Sequence, residues 1–197
     1  MLVADKNMEF TLRGALSRPS ALGIRNISFE IHVHVNRDGG IRSTGTDVLR
    51  LLRSQYSHAL LLLDFEGSGT DKQNAVELEE ELDQRLADDW GTAAKAIVIE
   101  PELDVWIWGS DNALHQICGR ISETESFRDW LKKEHFQFTD QNKPVRPKEA
   151  LQSILYQLRR PRSSALYEDI AKIISKKSCT DPAFIRLRTQ LQAWFPA

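Results

Sequence analysis

Cysteine is almost missing from this chain: Cys118 and Cys179 are the only two, and no Cys-x-x-Cys pair occurs. Such a pattern excludes a disulfide framework and a structural zinc site, and it suits a reduced, cytoplasmic setting. Long apolar runs are missing as well, so no segment is expected to span a bilayer, and the N-terminus carries no signal-peptide pattern. There is no Gly-x-Ser-x-Gly elbow, no P-loop and no dinucleotide-binding fingerprint. Common routes to acyl transfer and nucleotide cradling therefore have no local sequence support. Internal repeats and low-complexity stretches are also absent.

What is present is an ordinary globular composition, 41% hydrophobic and 27% charged over 197 residues. That length can bury one good core, or a domain with a small extension. The net charge of -2 conceals an asymmetry. Asp64 to Asp104 holds thirteen acidic residues against three basic ones, and Lys143 to Lys177 holds nine basic against three acidic. An acidic middle and a basic later segment fit a metal site beside a phosphate-binding surface; solvated helix faces of opposite sign explain the same counts.

Strand and helix patterns alternate through the first half. Leu2-Val3-Ala4 reads as a first strand, followed by a helix over Met8 to Leu16 and a break at Ser17 to Gly23. Ile27 to Val35 alternates apolar and polar residues, as a half-buried strand toward the sheet edge does. Arg37-Asp38-Gly39-Gly40 reads as a tight turn before a helix over Thr46 to Ser54. Ala59 to Leu63 and Ala94 to Ile99 are short, wholly apolar runs, the signature of strands buried on both faces. Between them a helix is expected over Lys72 to Asp88. The order predicts a three-layer, Rossmann-like α/β domain with a mostly parallel sheet over residues 1–126. Residues 127–197 read as a helical extension packed on it, with helix starts at Pro147, Ser163 and Asp181-Pro182 and an apolar stripe that includes Ile174.

The run His58-Ala-Leu-Leu-Leu-Leu-Asp-Phe-Glu-Gly-Ser-Gly69 holds the strongest chemical signal. Four leucines stop abruptly at Asp64 and Glu66, and the carboxyl end of a parallel strand is where open α/β sheets keep their chemistry. Alternation points the two acids the same way, where they repel unless a cation lies between them. Asp5 after the first strand, and Glu100 and Glu102 after the later one, are expected at the same edge. Magnesium or manganese takes oxygen ligands and keeps several waters, so two or three such acids suffice. The plain alternative makes Asp64 a turn cap and Glu66 a solvated side chain, with Glu102 and Asp104 complementing a helix dipole. Trp106 and Trp108 read as core, and His32 and His34 as a solvent-facing pair. Arg159-Arg160-Pro-Arg162-Ser-Ser is the best anion-binding candidate, with a solvated basic loop an equal account of it; Arg37 is a weaker one, for which an ordinary hairpin-like turn is the better account.

Several phrases together carry a family likeness. Val3-Ala-Asp-Lys, Ala59-Leu-Leu-Leu-Leu-Asp-Phe-Glu-Gly-Ser-Gly, Ile97-Val-Ile-Glu-Pro-Glu-Leu-Asp-Val-Trp, Arg146-Pro-Lys-Glu-Ala-Leu and Pro161-Arg-Ser-Ser-Ala-Leu-Tyr are spread over nearly the whole length. The chain resembles the small Toprim-like component of bacterial methylation-associated phage-defence systems. The resemblance implies a Rossmann-like core, magnesium dependence, phosphodiester (nuclease) chemistry and other defence-system proteins as partners. It puts the paired acids on Asp64 and Glu66, and the acid of the first strand on Asp5, or on Glu9 one turn later. The group usually has Glu at the first place and Asp-x-Asp at the second, where this chain has Asp5 and Asp64-Phe65-Glu66. A regulatory or scaffold subunit with the same fold but no catalysis is the alternative.

Overall fold

The computed structural model describes residues 1–173 and 179–197. Ile174, expected on the stripe of a C-terminal helix, lies outside them. Four parallel strands form one sheet in the order β2-β1-β3-β4: β1 (Leu2–Val3), β2 (His32–Val33), β3 (Ala59–Asp64) and β4 (Ala94–Ile99). Leu60 to Leu63 and Ala96 to Ile99 are at most 2% exposed. Burial on both faces explains their unbroken apolar runs.

Helix α1 (Lys6–Leu16) follows β1, α3 (Arg37–Leu51) leads from β2 to β3, and α4 (Ala75–Trp90) joins β3 to β4. Asn74 caps α4 by accepting the Glu77 amide. A short α2 (Pro19–Leu22) occupies the expected break, because Pro19 can open a helical turn and Gly23 closes it with φ 74°. Beyond β4 come α5 (Asp104–Ile107), α6 (Asp111–Cys118), α7 (Phe127–Lys133), α8 (Pro147–Gln157), α9 (Ser164–Ile173) and α10 (Pro182–Trp194). One hydrophobic core runs through both halves of the chain and includes Leu61, Ile97, Leu151, Ile170 and Leu187. Trp106 and Trp108 belong to it, at 2% and 1% exposed. No helix among the described residues is long and apolar enough to cross a membrane.

Three local expectations need correction. Arg37 to Gly40 is the first turn of α3, not a free-standing turn. Glycine is a poor helix former, by about 1 kcal/mol each, which is why the sequence reads otherwise. Here packing overrides propensity: a Cβ on Gly40 would stand 2.4 Å from the His34 ring. Only His32 and Val33 of the Ile27–Val35 run pair as a strand with β1. His34 is 8% exposed rather than solvent-facing, because α3 covers that face. Its Nδ1 accepts the Asn36 amide at 3.1 Å, which leaves the proton on Nε2, 3.1 Å from Thr44 Oγ1.

Helix α9 packs against α1 at Gly14, where an added Cβ would meet the Glu168 carbonyl oxygen at 2.3 Å and Ala171 Cβ at 2.9 Å. Backbone cannot yield as a flexible side chain does, so the helices must part. Gly14→Val is expected to cost about 1–3 kcal/mol, read as a lowered midpoint in urea denaturation. An unchanged midpoint would mean that α1 and α9 do not approach this closely.

Candidate metal centre at the carboxyl edge of the sheet

With strand order 2-1-3-4, the chain leaves β1 toward one side for β2 and returns across it to β3. The topological switch point therefore lies between β1 and β3, and open α/β sheets bind ligands outside the carboxyl ends of strands at such a point. Asp5 follows β1 and Asp64 ends β3, so the two acids flank that position. Sequence reasoning missed a third, Asp38, in the first turn of α3. Its Oδ1 accepts the Asp64 amide at 2.8 Å, tying the start of α3 to the end of β3. Two further bonds, from the Phe65 amide to the Ile99 carbonyl and from the Glu66 amide to the Pro101 carbonyl, carry the β3–β4 pairing past the strand ends.

Each acid also has local work. Asp5 caps α1 by accepting the Met8 amide at 2.9 Å. Asp64 Oδ1 accepts the Leu103 amide at 2.8 Å. Glu102, 7% exposed, sits 3.4 Å from Lys148 Nζ. Glu100 accepts the Ala75 amide at the start of α4, and Glu9 pairs with Arg13 along α1. Glu66 is exposed and adds its negative charge beside Glu102. The crevice thus gathers Asp5, Asp38, Asp64 and Glu102 into one electrostatic neighbourhood, while Glu9 and Glu100 are engaged elsewhere.

Burial, and then the charges of Asp38, Asp5 and Glu102, push the Asp64 carboxyl well above the usual carboxylate range, against the pull of the Leu103 amide. Burial raises Asp38 too, more than the Asp64 amide and Arg37 lower it. Neither Asp5 nor Asp64 has a cationic side chain within ion-pairing distance among the described residues. The arrangement can hold a proton or gather a cation, and it repels a bare anion. No three His, Cys, Asp or Glu side chains among the described residues converge as a ready-made metal cage.

The arginines divide. Arg162 Nη2 reaches both oxygens of buried Asp104 at 3.1 and 3.3 Å, and its Nε donates to the Tyr167 hydroxyl at 2.6 Å. Tyr167 in turn donates to Asp104 at 2.7 Å. Arg160 donates to the Ile117 carbonyl. These contacts fasten the loop before α9 to α5 and α6, a structural use of guanidiniums that local charge density does not distinguish from phosphate binding. Arg159 and Arg37 are exposed, each with positive φ (53° and 51°). Compared with known proteins, the chain matches no family model, no curated protein and no solved structure.

Proposed function

We propose that the crevice between β1 and β3 binds Mg²⁺ or Mn²⁺ and that the protein is a Toprim-like, phosphodiester-acting component of a bacterial anti-phage defence system. The observation that carries this reading is Asp64: a half-buried carboxylate at the switch point, in the field of Asp38, Asp5 and Glu102 and without an ion-paired cation among the described residues. The donor set fits the ion, since hard divalent cations take carboxylate oxygens and water and need no preformed protein cage. Asp64 and Asp5 would hold it, with Glu66 and Glu102 on the β4 side. Bound there, the ion would supply Lewis-acid polarisation of a phosphoryl oxygen and an activated water. Lys148 and Arg37 offer positive charge near the acids, and Arg159 a further cation on the loop before α9. The sequence resemblance supports nuclease chemistry and other defence proteins as partners.

One observation favours a second reading, a regulatory or scaffold subunit. Glu9 and Glu100 are committed to Arg13 and to the start of α4, so fewer acids converge than the sequence pattern implies. One experiment separates the two: Mg²⁺-dependent cleavage of methylated and unmethylated DNA by wild type and Asp64→Ala. Cleavage lost by a factor of about a hundred or more in the variant supports the enzyme. Absence of cleavage by both, with binding to a protein partner intact, supports the subunit.

A further inference from the structure

We infer that the open groove over the carboxyl ends of β1 and β2 receives one strand of nucleic acid, with Lys6 and Arg37 on its phosphates. The inference rests on the phosphodiester reading above and names the form of substrate and its path to the acids. The groove has a volume of about 460 Å³ and is lined by Asp5, Lys6, Val33, His34, Val35 and Arg37 among others. It shares Asp5 with the metal-site acids, so a chain lying in it runs directly to the switch point.

Three features select the occupant. Lys6 and Arg37 are exposed, and neither makes a side-chain hydrogen bond or ion pair among the described residues, although acids stand close by. Acids inside and unspent cations at the rim suit a phosphodiester, whose flanking phosphate needs a counter-charge away from the metal-binding carboxylates. Val35 is 89% exposed on the same wall and offers an apolar face to a sugar or base. A groove of this volume admits a nucleotide-sized unit.

The backbone of the wall is also braced. His34, buried beneath it, accepts the Asn36 amide and contacts Thr44, while the Arg37 amide donates back to the His34 carbonyl. Gly40 leaves room for the imidazole. This bracing holds Arg37 at φ 51°, a backbone conformation that a residue other than glycine keeps only where its surroundings impose it. The backbone that carries Val35 and Arg37 is thereby braced, which removes its share of the ordering cost of binding.

The test is fluorescence anisotropy with a short labelled single strand and the corresponding duplex, in EDTA and in Mn²⁺. Wild type should prefer the single strand. The Lys6→Ala/Arg37→Ala double variant should bind about tenfold more weakly at low salt, and its log–log salt slope should shrink by about 1.4, at about 0.7 per lost phosphate contact. Val35→Glu should weaken binding in the same direction, whereas Arg50→Ala, at the far end of α3, should not. All four residues are exposed, so thermal melts should remain those of wild type. Equal binding of duplex, no binding of either probe, or an unchanged double variant would overturn the inference. Mn²⁺ affinity is measured separately: metal bound with strand binding unaltered defeats the groove alone, and strand binding lost without any metal affinity defeats the metal site alone.

Discussion

Asp181→Ala should unfold the protein more readily by about 3–5 kcal/mol, the range for breaking a buried ion pair by removing one partner. The carboxylate is 3% exposed and serves four groups at once. It accepts the Trp106 indole N–H at 3.0 Å and the amides of Ala183 and Phe184 at 3.0 and 3.4 Å, and it lies 3.2 Å from Lys143 Nζ. Lys143 is itself 6% exposed, so the variant strands an ammonium in the core and uncaps α10. Equilibrium urea denaturation measures the loss. Lys143→Met in the Asp181→Ala background should recover part of it, because the stranded charge is the larger share. A loss below about 1 kcal/mol, or no recovery in the double variant, would refute the account.

This pair illustrates what the sequence could and could not convey. Ala59 to Leu63 and Ala94 to Ile99 were legible because a strand buried on both faces must be apolar throughout, and nothing else about the fold is needed to see it. Asp5 and Asp64 were legible for a related reason: in a parallel sheet every strand delivers its next residues to the same edge. Asp38 was not. Its place depends on a bond to Asp64, 26 residues away, and the two glycines after it argue locally for a turn. The arginines before α9 show the converse. Their density reads as an anion site, yet Arg160 and Arg162 are tied to partners 43 and 58 residues earlier. Local chemistry lists what a side chain can bind, and only the long-range packing decides which partner reaches it first.

Asp64→Asn should raise stability at neutral pH and remove the response to divalent cations. The substitution keeps an oxygen that can accept the Leu103 amide but removes a charge that burial, Asp38, Asp5 and Glu102 all oppose. Below the ordinary value of 3.8 the carboxyl is protonated in both folded and unfolded chains and costs nothing. As pH rises the unfolded chain releases its proton first, so the folded state loses stability until the raised folded value is passed. The advantage of Asp64→Asn over wild type should therefore be small near pH 4 and grow toward neutrality. It should appear as a higher melting temperature, about 2–4 °C for each kcal/mol regained in a chain of this size. Asp38 and Asp5 supply part of the repulsion that the substitution removes. Mg²⁺ or Mn²⁺ should stabilise wild type by mass action and leave Asp64→Asn nearly unmoved. Melting curves across about pH 4 to 8, with and without metal, decide the matter. A variant less stable than wild type at neutral pH, or equally stabilised by metal, would show that Asp64 is a structural cap.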